Sequence, residues 1–355
     1  MQKYRAALVG CGRMGAFIDN EVAGRPNANL PYSHAAGYEA CERTELVAGS
    51  DMRTEVLEQF GQRYGVSPEH QYTDFRELIV REQPDILSIA TQPHHRTEVA
   101  LFAIENGVKA LYVEKPLCAS MAEAETLRDA VIRHNVALNM GTNRRWHPGF
   151  AVMREAIASG AYGKLVTLAT VHTGTLFNTQ SHWIDTLRLL NGDAPAAWAQ
   201  AQMRDGDAAF AGDHVIADPV TEGTIAFTNG VTAHLIAAPG APSHHAWCDN
   251  AELVMTAGDS RIEVRRDGEP VETLAFTQAS STLRLIEDLV HALDTGAPTR
   301  GGIEAAYANT ELLFALLESE RRNGARVSLP LTGSALAFVP ANLAPRQPKY
   351  SPTSA

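Results

Sequence analysis

Residues 4–15 read Tyr4-Arg5-Ala6-Ala7-Leu8-Val9-Gly10-Cys11-Gly12-Arg13-Met14-Gly15. A short apolar run ends in G-x-G-x-x-G, and a helix candidate follows. The first glycine permits a tight turn, the second lets backbone approach a pyrophosphate, and the third allows close helix–strand packing. The helix N-terminus then faces the phosphate charge. Alone the hexapeptide is a weak signal. In this strand–turn–helix setting it predicts a dinucleotide site built on Gly10, Gly12 and Gly15, with Arg13 and Met14 between them.

Working outward, such a fold needs an acidic residue at the end of the second strand to bind the adenosine ribose. Asp51, after Leu46-Val47-Ala48-Gly49-Ser50, fits and favours NAD, because a carboxylate repels a 2′-phosphate. It lies 36 residues past Gly15, where roughly 20 is usual. The excess is assigned to a loop within 18–32, which holds Gly24, Pro26 and Pro31. The plainer reading of Asp51 is a solvated strand-end residue. Met52 and Arg53 share its strand end. Arg53 could stack on adenine or pair with a 2′-phosphate, which leaves NADP open.

Strand candidates recur at 4–9, 45–49, 85–90, 109–113 and 136–140, each nearly all apolar, as in strands covered on both faces. Helical patterns at 54–64, 74–81, 97–105 and 120–134 alternate with them. Ser120 and Glu123 have capping-box spacing. This alternation predicts an α/β, doubly wound parallel sheet over 1–142. From 143 to 330 the pattern changes. Strand candidates at 164–172, 215–227, 231–237, 251–256 and 261–265 follow one another, with Asn229-Gly230 as a hairpin signal. Helices flank them at 148–159, 181–190, 280–293 and 303–322. This predicts a second, α+β domain with a large, mainly antiparallel open sheet. Residues 331–355, rich in Pro, Ala and Ser, are expected to form an extended tail.

The 355 residues are 45% hydrophobic and 20% charged, which suits two packed domains and excludes disorder as a whole-chain description. A net charge of −11 argues against nucleic-acid or anionic-membrane partners. No apolar run reaches the roughly 20 residues of a membrane span, and the N-terminus does not resemble a secretory signal. Cys11, Cys41, Cys118 and Cys248 form no C-x-x-C pair, so a reducing compartment, most simply the cytoplasm, is expected. The 13 histidines show no ligand spacing, so no metal is inferred. His244-His245 reads as a loop pair.

Two further stretches carry chemistry. Glu114-Lys115-Pro116 follows a strand candidate, and ligands of open α/β sheets bind at the carboxyl ends of strands. A partly desolvated lysine beside a cofactor cation suits proton exchange with a hydroxyl. From the tripeptide alone, a surface lysine before a turn proline is the simpler reading. In Asn178-Thr179-Gln180-Ser181-His182-Trp183-Ile184-Asp185, spacings of four and three put Asn178, His182 and Asp185 on one side of a helix and its entry turn. His182 can share a proton with a substrate hydroxyl. The plainer reading is a capping histidine with a solvated Asp185.

The glycine loop at residue 10, E-K-P after a strand, and H-x-x-D opening a helix in a β-rich second domain together resemble the Gfo/Idh/MocA oxidoreductases over roughly 3–330. The resemblance implies an NAD(P)-dependent dehydrogenase of sugars or cyclitols that transfers a hydride between a carbinol carbon and nicotinamide. It also implies a homodimer or homotetramer formed through the C-terminal sheet. It implies a nicotinamide-side loop at Thr91-Gln92-Pro93-His94-His95 and a crossover lining both ligands at 141–146, which includes Asn143. The 258–263 stretch resembles the family's sheet hairpin. The resemblance makes Lys115 the proton-transfer group and His182 its partner. Many members carry Asp where this chain has Asn178; an amide exchanges no proton but can orient Lys115 or a hydroxyl. A polyol needs several polar groups, and Arg144, His172, Asp185 and Trp146 are candidates. Two alternatives accompany the dehydrogenase: a lyase or glycosidase using transient oxidation with no net redox, and a non-catalytic cofactor-binding protein.

Overall fold

The computed structural model describes residues 3–25, 28–256 and 258–340. The first half is built on six parallel strands: β1 (Tyr4–Val9), β2 (Thr44–Ser50), β3 (Gln71–Tyr72), β4 (Ile86–Ile89), β5 (Ala110–Val113) and β6 (Ala137–Met140). Their spatial order is β3-β2-β1-β4-β5-β6. The order reverses between β1 and β4, the switch point at which sheets of this kind bind ligands at the carboxyl ends of their strands. The helices are α1 (Asp19–Val22), α2 (His34–Ala40), α3 (Thr54–Tyr64), α4 (Phe75–Glu82), α5 (Pro93–Glu105) and α6 (Met121–His134). Ser120 caps α6 as its spacing predicts: its Oγ accepts from the Glu123 amide at 3.2 Å.

The second half contains α7 (Pro148–Ala158), β7 (Leu165–Val171), α8 (Ser181–Leu190), β8 (Ala196–Arg204), α9 (Gly206–Ala209), β9 (Phe210–Ala211) and β10 (His214–Val215). Then come β11 (Val220–Phe227), β12 (Thr232–Ile236), β13 (Ser243–Cys248), β14 (Ala251–Thr256), β15 (Arg261–Arg265) and β16 (Glu272–Leu274). Two helices, α10 (Ser281–Thr295) and α11 (Ile303–Arg321), precede β17 (Val327–Ser328) and β18 (Ala337–Phe338). Nine of these strands form one sheet in the order β16-β15-β14-β13-β7-β12-β11-β8-β17. Only the β7–β12 pair is parallel. The fold is therefore α/β with a parallel Rossmann sheet and a mixed, mostly antiparallel second sheet.

Several expectations are corrected. The 215–227 strand is interrupted: β10 stops at Val215, and β11 starts at Val220 after Asp218-Pro219. Asp218 is drawn out of the ladder because its carboxylate accepts from the Thr175 hydroxyl and from the Phe177 and Asn178 amides. His244-His245 is no loop pair, since it lies in β13 in the middle of the nine-stranded sheet. His244 is buried and His245 faces the other side, as strand alternation requires. Strand β8 gave little signal because its side chains are mostly Ala and Gln.

Helix α10 lies on the Rossmann sheet. Leu285, Ile286 and Leu289 share a core with Ala6, Tyr38, Ile86, Tyr112 and Trp146. Gly37 makes this possible: a Cβ there would meet Ile286 Cδ1 at 2.6 Å. In the tail, Leu336 and Phe338 are buried, and Phe338 stacks on Phe177 with centroids 3.8 Å apart. The expectation for 341–355 falls outside the described residues.

The excess length before β2 forms a strap. Asp19 accepts from the Tyr32 and Ser33 amides at 2.7 and 2.9 Å, which draws its two ends together. Asn29 Nδ2 donates to Gln278, Ser280 Oγ to the Pro31 carbonyl, and Thr282 Oγ1 to the Tyr32 carbonyl. The strap is thereby seated on the start of α10. Among the described residues, no helix is long and apolar enough to cross a membrane.

Candidate active site

Gly10, Asp51, Thr91, Glu114-Lys115 and Asn143 stand just after β1, β2, β4, β5 and β6, on one edge of the sheet. Gly10 has φ +94°, and a Cβ there would lie 2.8 Å from the Ala90 carbonyl. A Cβ on Gly15 would lie 2.0 Å from the Gly10 carbonyl oxygen. Both positions therefore require glycine. The bare backbone of this loop fits the close approach of a pyrophosphate, so these residues suit a dinucleotide. Arg13 is held by Glu21 of α1 at 2.8 Å, and Met14 is half-buried. Asp51 is gripped by Arg53 through Nε at 3.0 Å and Nη2 at 3.2 Å. Met52, 85% exposed, lies outside that pairing.

Sequence reasoning missed Arg96. Its buried guanidinium donates to the Thr91 carbonyl at 3.0 and 2.7 Å and to the Pro116 carbonyl, joining the loop after β4 to the loop that carries Lys115. Burial lowers its pKa to about 10, which leaves it charged at neutral pH. Pro93 opens α5 with Gln92 at its N-cap, and the His94 and His95 rings lie 4.1 Å apart. Glu114 is buried. Its carboxylate is held below the usual range because His34, at 3.1 Å, and the charges of Lys115 and Arg96 outweigh burial.

Lys115 and Asn178 are brought together. Lys115 Nζ donates to the Asn178 carbonyl at 2.5 Å and lies 3.4 Å from Asn178 Oδ1. Asp218 anchors the turn carrying Asn178 through two backbone amides. His182 opens α8, and its buried Nδ1 has no hydrogen-bond partner. Burial pushes its pKa well down, and the charges of Lys115 and Arg144 push it further.

His182 also lines a cleft of about 120 Å³, with Asn143, Arg144, His147 and Asp259 among the other lining residues. The strap contributes Asn29 and Tyr32, which motif reading did not identify. Three expected substrate contacts are placed elsewhere. Asp185, 1% exposed, accepts from Arg145 Nε at 2.8 Å inside a buried network with Arg188 and Asp193. Arg145, a neighbour of Arg144 that sequence reasoning passed over, draws it inward. Trp146 is buried in the core under α10, where a polyol cannot stack on it. His172 packs edge-on against Trp183 and pairs with the Gly240 carbonyl through Nδ1, outside the cleft lining. Among the described residues, no three His, Cys, Asp or Glu side chains form a metal-holding group.

Burial is the leading cause that holds His147, His182 and His244 below the ordinary histidine range. The unfolded chain binds protons at these positions from about pH 6.5 downward, while the folded chain resists them. Their stability contribution is complete above that pH and shrinks as pH falls through it. Urea midpoints at pH 7.5 and 5.5 should show a smaller acid-side loss in His244→Gln than in the parent. Equal losses would refute this.

Residues 4–142 match a family model described as an oxidoreductase family with an NAD-binding Rossmann fold. The D-apiose dehydrogenase of Paraburkholderia graminis is 30% identical over 164 residues, which cover 46% of this chain and 38% of that protein. The levoglucosan dehydrogenase of Pseudarthrobacter phenanthrenivorans is 26% identical over 220 residues, covering 55% and 53%. The chain thus spans between about two fifths and half of the length of these curated relatives. An inositol dehydrogenase homologue of Azotobacter vinelandii, solved with NADH and myo-inositol, superposes with a TM-score of 0.76 at 18% identity. That superposition covers 92% of this chain and 98% of the other.

Proposed function

We propose that the chain, whose residues 4–142 match the model of the Gfo/Idh/MocA oxidoreductase family with its NAD-binding Rossmann fold, is an NAD-dependent dehydrogenase acting on a secondary alcohol of a sugar, cyclitol or sugar derivative. The observation that carries this reading is Lys115 Nζ, held by Asn178 at the carboxyl edge of the sheet, with His182, which senses the charge of that amine, lining a polar cleft. The names of the curated relatives, dehydrogenases of apiose, levoglucosan and inositol, support the substrate class.

Bound NAD supplies a two-electron acceptor at C4 of its nicotinamide. Gly10, Gly12, Arg13, Met14 and Gly15 would hold the pyrophosphate side; Asp51, Met52 and Arg53 the adenosine side. Thr91, Gln92, Pro93, His95, Glu114 and Asn143 would hold the nicotinamide side. In the oxidising direction Lys115 Nζ takes the hydroxyl proton, and in the reducing direction its ammonium returns one. Asn178 fixes where that amine sits, which supports a positioning role. His182, kept neutral, hydrogen-bonds the same oxygen or its neighbour and holds the alcohol against Lys115.

An exposed face of the nine-stranded sheet, with Trp247 and Ile236 on it, supports association of two or four copies. The four cysteines, all buried and unbridged, support a reducing compartment such as the cytoplasm.

An absorbance screen at the reduced-nicotinamide band, over sugars, cyclitols and lactones with NAD and with NADP, tests the reading. NADH formation from at least one polyol is expected, with NAD preferred. Turnover without NADH would point to the non-redox alternative, and a strong NADP preference would refute the role given to Asp51.

A further inference from the structure

The turn between β14 and β15 carries Asp259 in the left-handed region, φ +68°, and this residue lines the cleft. One carboxylate oxygen, Oδ2, accepts from Arg144 Nε at 3.0 Å. The other, Oδ1, is buried and has no hydrogen bond. His244 Nε2 stands 3.5 Å from it in a long, weak contact, while His244 Nδ1 is engaged with Thr170 Oγ1 at 3.0 Å. Asn143 Oδ1 and His182 Nδ1, from other residues lining the cleft, are buried and equally unpartnered. A well-packed fold leaves few such atoms without a short hydrogen bond, and here three of them belong to residues that line one cavity. Their chemistry names what is missing. A carboxylate oxygen with one long contact has room for a donor. The guanidinium beside it, bonded among the described residues only through Nε, retains donors that need an acceptor.

We infer that Asp259 and Arg144 form a donor–acceptor clamp that reads two adjacent hydroxyls of the substrate. Asp259 Oδ1 accepts from one hydroxyl, and the Arg144 guanidinium donates to the oxygen of the next. The clamp balances its own charge, and His147 and His182 are held neutral, so this end of the cleft adds no net charge. A carboxylate on the ligand would face Asp259, and an ammonium would face Arg144. The ligand class is therefore an uncharged vicinal diol. This inference deepens the dehydrogenase reading and rests on its choice of a polyol; Asp259 touches the substrate without taking part in proton transfer.

The test measures binding separately from turnover. The full chain loaded with NADH is titrated calorimetrically with myo-inositol, D-xylose, D-glucose and their monodeoxy analogues, as parent, Asp259→Asn and Arg144→Gln. Asparagine tolerates the left-handed turn, so Asp259→Asn retains the backbone. At least one polyol should bind the parent, and each variant should weaken it about 10- to 100-fold, with NADH affinity unchanged. One monodeoxy analogue should lose a similar factor in the parent and much less in Asp259→Asn, because the two changes remove one contact. Affinities within twofold of the parent in both variants, or equal penalties for every analogue, would overturn the clamp. So would a parent that binds none of the polyols. If binding weakens as expected while the parent forms no NADH from NAD and the same polyols, the clamp stands and the dehydrogenase reading fails.

Discussion

Lys115→Met should slow the redox step by about 10²- to 10⁴-fold, the range over which a positioned acid or base acts. Methionine keeps much of the length and bulk of the side chain, so the cleft should retain its shape. The glycine loop and Asp51 are untouched, and NADH affinity should change by less than about tenfold. The remaining rate should lose the limb of its pH profile that reports the lysine, and stopped-flow traces of NADH formation would record both effects. An unslowed first turnover in the variant would remove the amine from the mechanism. A slowed step with an unchanged pH profile would leave Lys115 as a binding group only. Asn178→Asp offers an independent check, because an acid at 178 adds a titrating group beside the amine held at 2.5 Å by the Asn178 carbonyl.

Asp185→Ala should destabilise the protein by about 3–5 kcal/mol, the cost of removing one partner from a buried ion pair. Arg145, 2% exposed, would lose the carboxylate that accepts from its Nε, and Arg188 would lose a neighbouring charge. Asp193 would still bond Arg145 Nη1 and Nη2, which places the effect inside that range and not beyond it. Urea unfolding followed by tryptophan fluorescence reads the loss, and the surviving folded enzyme should keep its KM for polyol. A raised KM with parental stability would return Asp185 to the substrate.

The Rossmann half was legible because its chemistry is local. The glycines at 10, 12 and 15 act through backbone geometry, and each strand announces itself by being apolar throughout. The place of Lys115, just after β5, was legible for a similar reason, since the end of a strand is a place that sequence alone can mark. His182 and Asp185 show the limit. Three-residue spacing puts both on related turns of α8, yet which of them meets the cleft depends on Arg145, an arginine that comes from a different segment. Neighbouring Arg144 and Arg145 look interchangeable in sequence; in the fold one reaches Asp259 and the other Asp185. Asp259 and Tyr32 were unreadable because each reaches the cleft from a turn or loop whose placement depends on strands and helices far along the chain. Strand β13 was missed because its alternation of half-buried and buried residues is written with His, Ala and Trp instead of β-branched residues.

The strap before α2 has a consequence for engineering. Its two ends are drawn together by Asp19, its first turn grips Arg13 through Glu21, and its far edge rests on residues 278–282. A chimaera that joined this Rossmann half to the second half of a relative would bring a foreign seat to a bridge cut for its own. Grafts between such proteins should therefore be joined so that the bridge and its abutment travel together.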